Sequence, residues 1–325
     1  MKNTVIILHN RIGLHPTTDE TDVLDQAELV RKALVSMGYE CHLMDVGENL
    51  YADLLEVRER NPRFVFNLVE TVFGHTVLLH TVPSVLSAWH IPYSGVSHEA
   101  LFLTTSKPLA KQIMSVHGIN TPAWYNPQQA LLHLNPSSKY ILKPSSEEGS
   151  VKLDRDSVFR GDDPLAPARL SGCDPNEFFV EEYIEGREFN ISVTGVPGRY
   201  TVYPIPEMIF DNFPPDMEHI LGYKAKWEED SFDYTHTFRR FDTLRNEPEL
   251  AQRLEEIVLQ CGRVFGLTGY FRVDFRVTDQ NIPMVLEING NPCIAPDSGF
   301  IAAGKHAGYS ETEMIQQIIS CIETK

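Results

Sequence analysis

The 325-residue chain carries 28 Lys+Arg against 45 Asp+Glu, a formal net charge of -17 that argues against a nucleic-acid or anionic-membrane partner. Its length points to two or three packed units with a core large enough for an enzyme. The five cysteines, Cys41, Cys173, Cys261, Cys293 and Cys321, are scattered without a C-x-x-C pair, and no apolar run approaches the roughly 18 residues of a membrane span, so free thiols in a cytoplasmic protein are expected.

Along the first hundred residues, apolar runs alternate with helical patterns: "TVIILHN", Asp22 to Met37, "CHLMDV", Ala52 to Arg60, "RFVFNLV" and His75 to Trp89. Such βαβ alternation predicts a Rossmann-like α/β unit with parallel strands. No G-x-G-x-x-G follows the first strand, so a dinucleotide site there has no support. The pattern "TTSKPLAKQIMSVHG" predicts one helix ending at Gly118, and the prolines of "INTPAWYNP" mark a boundary. Strand-like runs follow: "KYILKP", "EFFVEEYI", "REFNISVTG" and "YTVYPIPEMI". Between them, Arg160 to Asn176 is rich in Pro, Asp and Gly and reads as a linker. Glu247 to Phe265 has a helical apolar stripe, and the strands "YFRVDFRV" and "MVLEIN" follow, joined by the turn "TDQNIP".

These last two strands carry the first chemical signal. Alternation puts Phe271, Val273 and Phe275 on one face and Arg272, Asp274 and Arg276 on the other. Glu287 and Asn289 share a face of the next strand, and the short turn makes the two strands antiparallel neighbours. Asp274, Glu287 and Asn289 can therefore converge, and three oxygen donors suit a hard cation such as Mg2+. Two such ions bridged by Glu287 would fit, with Arg272 placed for a phosphate or an oxyanion. The alternative is that Arg272 and Arg276 form surface ion pairs with these acids. Further along, Lys107 sits in a helix pattern and Lys143 ends an apolar strand, where a buried cation needs an anionic partner. The polar loop "PSSEEGSVK" could then fold over a phosphate. Cys293 reads as a packing residue, since no His motif adjoins it.

Taken in order, the helix lysine, "ILKP" with its loop, "VEEYIEGREF", "RVDF" and "LEIN.NP" resemble the ATP-grasp superfamily, and most of all the D-alanine:D-alanine ligases, from about Phe64 to Gly299. The resemblance implies a Rossmann-like N-terminal domain (1–103), a central ATP-grasp subdomain with a lid loop (104–186) and a C-terminal subdomain with the metal site (187–325). It implies ATP and two Mg2+ ions, or Mn2+ in their place. Lys107, Lys143 and Ser150 would face the nucleotide phosphates, Glu181, Glu182, Tyr183 and Ile184 the adenine, and Glu188 the ribose. The metal ligands would be Asp274, Glu287 and Asn289. Arg272 and Lys226 would stabilise the transferred phosphate, and Ser298 and Gly299 would hold the acceptor's carboxylate. The lid would be Ser145 to Lys152, mobile without nucleotide. A homodimer is also implied.

Two departures bear on the substrate. Cys293 stands where the ligases carry Gly, and "HNRIGLHPTTDETD" offers no match to their amine-binding glutamate motif, so no N-terminal substrate residue is assigned. The reading is an ATP-dependent carboxylate-amine ligase acting on amino acids or a related small amine. Its rivals are a D-alanine:D-alanine ligase proper and a peptide-recognising ATP-grasp scaffold without ligase activity.

Overall fold

The computed structural model describes residues 3–147, 149–150 and 153–322. Of the expected lid, Glu148, Val151 and Lys152 lie outside the described residues.

The chain opens with β1 (Thr4–Asn10), α1 (Thr18–Ser36), β2 (Glu40–Val46), α2 (Leu50–Arg60) and β3 (Phe64–Leu68). The strands form a parallel sheet in the order β2-β1-β3. Val5 to Leu8 are fully buried, as befits a strand covered on both faces. α1 begins four residues earlier than its apolar stripe suggested, because the Glu20 carboxylate accepts the Thr17 N–H at 2.9 Å and supplies half of a capping box. The predicted helix His75 to Trp89 is a 3-10 turn at Thr76–Leu78 followed by α3 (Thr81–Ala88).

The predicted helix before Gly118 is two helices, α4 (His98–Thr105) and α5 (Lys107–Val116), with Ser106 extended between them. Pro108 explains the break. It has no N–H for the carbonyl of Thr104, but it is welcome in the first turn of a new helix. Lys107 thereby becomes the first residue of α5.

The next unit is an antiparallel sheet in the order β4-β7-β5-β6. It comprises β4 (Trp124–Tyr125), α6 (Pro127–Ala130), β5 (Lys139–Pro144), β6 (Val158–Arg160), α7 (Ala166–Ser171) and β7 (Phe178–Glu182). The predicted linker Arg160 to Asn176 is corrected here. It folds into α7, whose Ala166 and Leu170 are buried in a small core with Tyr140, Leu142, Phe159 and Val180. Two apolar residues at i and i+4 on so short a helix are hidden by the surrounding Pro, Asp and Gly.

The remainder is built on β8 (Arg187–Val196), β9 (Arg199–Val202), β10 (Glu207–Phe210), α8 (Tyr223–Trp227), α9 (Phe232–Thr235), β11 (Thr237–Arg240), α10 (Pro248–Val264), β12 (Gly269–Val277), β13 (Pro283–Asn289), α11 (Gly299–His306) and α12 (Glu311–Ile322). Strand order is β11-β10-β8-β12-β13, with β9 on β8. The run "YTVYPIPEMI" divides into β9 and β10, because Pro204 and Pro206 cannot donate to a ladder. α10 buries Leu250, Leu254, Val258 and Cys261, the stripe read from the sequence. On β12, Phe271, Val273 and Phe275 enter the core, while Arg272, Asp274 and Arg276 face a cleft where the three sheets meet. All five cysteines are free, and no described helix is long and apolar enough to cross a membrane.

Candidate active site

The cleft has a volume of about 1320 Å³, and every residue assigned from the sequence lines it, from Lys107 to Gly299. That exceeds the roughly 300–1,000 Å³ of a single-ligand pocket and leaves room for a nucleotide beside small acceptors.

Its floor is the β12–β13 pair. Asp274 stands opposite Glu287, and Arg272 opposite Asn289, with a bulge after Asp274. Arg272 grips both Asp274 oxygens, at 2.7 and 2.8 Å, and Asn289 Nδ2 donates to Asp274 Oδ2 at 3.2 Å. Asp274, Glu287 and Asn289 therefore lie on adjoining positions of the paired strands, with both Asp274 oxygens taken up by Arg272 and the Asn289 amide nitrogen turned to Asp274. Of the ion pairs in the alternative reading, Arg272 does pair with Asp274, though largely covered rather than on the surface, while Arg276 is buried against Glu188 at 2.9 Å. Burial alone would raise the Glu287 carboxyl, but Lys107, Lys143, Lys226 and Arg272 outweigh it and hold the group well below the ordinary carboxylate range. Among the described residues no three His, Cys, Asp or Glu side chains gather as a metal cluster; the set is two carboxylates and an amide. That composition is the hard, oxygen-rich kind that suits Mg2+, so the residues fit such an ion.

Lysines surround this floor. Lys107 Nζ lies 3.3 Å from Glu287 Oε2 and also donates to the Glu147 carbonyl, tying α5 to β13 and to the loop after β5. Lys143 projects from β5, 2.5 Å from Glu181 Oε1. Lys226 comes from α8, and burial lowers its pKa, with Arg272 adding to the effect. α8 is tied to the loop by Trp227 Nε1, which donates to the Gly149 carbonyl at 2.9 Å, and the Ser150 hydroxyl donates to the Leu221 carbonyl at 2.6 Å.

The predicted adenine hinge, Glu181 to Ile184, lies at the end of β7, but the Glu181 side chain is used differently from the expectation. It is only 1% exposed and is ion-paired to Lys143 and to Lys111. Burial would raise this carboxyl, and the two lysines reverse the effect and lower it. The hinge is braced by Arg276, which donates to the carbonyls of Gly186 and His219 and lies over the Tyr183 ring. Gly186 has φ +137°, and a Cβ there would lie 2.1 Å from the Val277 carbonyl oxygen, so only glycine lets the hinge pass this close to β12. Glu188 next to it is raised by burial, which outweighs the opposing pull of Arg276.

At the far end, Ser298 caps α11 by accepting the Ile301 N–H at 3.3 Å, and Gly299 begins that helix against the Arg239 guanidinium. Arg239 donates to the Asp297 carbonyl at 2.9 Å. Across the cleft stand carboxylates from the N-terminal segment that had yielded no substrate residue: Asp19, bonded to the Tyr223 hydroxyl at 2.8 Å, and Asp22, which accepts from Gln26 and from the Cys293 thiol. Glu70, which also accepts from Gln26, joins them. Burial raises the Cys293 thiol, and Asp22 raises it further, which suits a packing residue better than a nucleophile. Asp19, Asp22, Glu70 and Arg239 were missed because each is unremarkable in its own segment. The capping-box start of α1 was the available signal that "TTDETD" presents carboxylates at one fixed place.

A family model described as D-ala D-ala ligase C-terminus matches residues 142–320, more than half of the chain. The chain belongs to the D-alanine:D-alanine ligase family. It is an ATP-grasp, ATP-dependent ligase that forms an amide bond, and the family typically uses Mg2+. Curated relatives of this ligase family include a D-alanine--D-alanine ligase of Maridesulfovibrio salexigens, 25% identical over 95% of this chain and 96% of the relative. One of Aquifex aeolicus is 28% identical over 91% and 94%. Among solved structures, the Bacillus anthracis D-alanine--D-alanine ligase complexed with ATP superposes with a TM-score of 0.73 at 20% identity, covering 99% of this chain and 97% of that one. The VanG D-Ala:D-Ser ligase of Enterococcus faecalis gives 0.70 at 17% identity, covering 99% and 100%. At these identities the two structures speak for the fold alone.

Proposed function

We propose that this ligase activates the carboxylate of one amino acid as an acyl phosphate and joins it to the amine of a second amino acid or related small amine. The observation that carries the reading is the convergence in one cleft of Lys107, Lys143, Lys226 and Arg272 around Glu287, with Asp19 and Asp22 of α1 and Glu70 after β3 lining the same cleft.

In this reading ATP lies with its adenine against Glu182 to Ile184, its ribose at Glu188, and its phosphates between Lys107, Lys143 and Ser150. The carboxylate attacks the γ-phosphate while Arg272 and Lys226 take up charge on the transferred group, giving ADP and the acyl phosphate. The acceptor amine then attacks the acyl carbon and phosphate leaves. Asp274, Glu287 and Asn289 would hold Mg2+, or Mn2+, whose charge offsets that of the phosphate oxygens. Asp22 and Glu70 are assigned to the first substrate's ammonium. Arg239 and the start of α11, at Ser298 and Gly299, are assigned to the acceptor's carboxylate. Water is excluded by α8, which Trp227 ties to the Gly149 carbonyl. The division at 103/104 and 186/187, cytoplasmic residence and a homodimer belong to the same proposal.

The relatives named for D-alanine ligation support D-alanine as one substrate to try first. The VanG protein, of the same fold, is named a D-Ala:D-Ser ligase, so substrate choice is a property of the pocket rather than of the fold. Trapping with hydroxylamine tests the intermediate. With ATP and the correct donor amino acid the enzyme yields that acid's hydroxamate, and a failure with every donor would contradict the acyl-phosphate route.

A further inference from the structure

Lys111 lies one turn beyond Lys107 on α5 and has no exposed surface, among buried Ala110 and Met114. Its Nζ is 2.7 Å from Glu181 Oε2 and donates to the Thr121 hydroxyl at 2.8 Å. The other Glu181 oxygen holds Lys143. The Thr121 hydroxyl passes the line on to the Val285 carbonyl at 2.8 Å, and Val285 N–H returns to the Asn120 carbonyl at 2.8 Å. Val285 is on β13, two residues before Glu287. A line of buried and half-buried polar groups therefore runs Lys143, Glu181, Lys111, Thr121, Val285, from the four-stranded sheet to the strand that carries Glu287.

Burying an ammonium is unfavourable, and an apolar residue at this core position of an amphipathic helix would cost less. Charge counting gives the reason for a lysine. With Glu181 shared between two lysines the cluster carries one net positive charge, and of the two lysines it is Lys143 that lines the cleft, beside Glu181. With an apolar residue at 111, Glu181 would neutralise Lys143, and that lysine would present no net charge to an anion.

We propose that Lys111 is a positioning residue for the nucleotide: it takes up Glu181 so that Lys143 keeps its charge for the phosphates, and it fixes β7 to β13 through Thr121. The proposal rests on the cleft being the ATP site described above. Steady-state kinetics and calorimetric ATP binding on the full chain test it with three variants. Lys111→Met should weaken ATP binding about tenfold and raise the KM for ATP more than it lowers kcat. Adding Glu181→Gln to it should restore at least about threefold of that affinity, because Lys143 is released from its neutralising partner. A residue that merely filled the core would give losses that add. Thr121→Val, which keeps the side-chain shape and every charge, should weaken ATP binding by about threefold and keeps the test alive if Lys111→Met does not fold. ATP binding unchanged in Lys111→Met or in Thr121→Val, or a double variant no tighter than Lys111→Met, overturns the proposal while leaving the ligase reading intact. Wild-type protein that binds no ATP overturns both.

Discussion

Glu287→Gln is the change that the site should tolerate least in activity and well in fold. Glu287 lies 3.3 Å from Lys107 Nζ, with the two side chains 26% and 13% exposed. At an effective dielectric of about 20, a unit pair at that distance interacts by about 5 kcal/mol, and solvent screening of the partly exposed pair reduces this to about 2–3 kcal/mol. Losing that attraction frees Lys107 to move away from the phosphate position, worth about 100-fold in rate. Three further cations, Lys143, Lys226 and Arg272, lose their common counter-charge as well, and the proposed metal site loses one of its two carboxylates. The combined loss in kcat should reach at least about 1,000-fold, the upper end for deleting one electrostatic group. Because glutamine keeps the shape and the cleft is open to water, the unfolding midpoint should move little. The assay is phosphate release under saturating ATP and Mg2+, with thermal unfolding measured on the same sample. A variant within tenfold of wild-type kcat would refute the assignment of Glu287.

Other parts of the account carry their own tests. Arg276→Leu leaves Glu188 buried without its cation, so it should cost about 3–5 kcal/mol in urea unfolding and raise the KM for ATP by loosening the hinge; unchanged values would remove Arg276 from that role. Gly186→Ala should destabilise by about 2 kcal/mol or more, since the methyl meets the Val277 carbonyl and φ is positive; a neutral result would mean the hinge can shift. Glu181 is held below its ordinary pKa when folded, so its contribution to stability is complete above the unfolded value of about 4.3 and is lost as pH falls through the lower folded value. The stability gap between wild type and Glu181→Gln should therefore be widest above pH 5 and narrow on acidification, and a gap independent of pH would contradict the buried pairing.

Much of this molecule was legible in advance where one periodicity dominates. The continuous apolar run of β1 was read with its burial correct, and the alternation of β12 put Phe271, Val273 and Phe275 in the core, although Asp274 and Arg276 on the other face are buried too; the strand pairing sets Asp274 opposite Glu287, as the face argument expected. Local chemistry set the errors. Pro108 divides α4 from α5, and two buried residues make a helix of what reads as a linker at Arg160 to Asn176. The harder omissions were long-range. Lys111 reads as one more polar residue on a surface helix, and only the approach of β7 shows that it is paired with Glu181, seventy positions on. Asp22 and Glu70 likewise meet across Gln26 through the packing of α1 on the parallel sheet, a juxtaposition no local pattern encodes.

The most direct test of the central claim is phosphate release from ATP and Mg2+ across a panel of D- and L-amino acids, singly and in pairs, with mass analysis of the products. The account predicts at least one pair, with D-alanine a first member to try, that releases one phosphate for each amide formed, with Glu287→Gln inactive on it. Phosphate release no higher than background with every pair would contradict it.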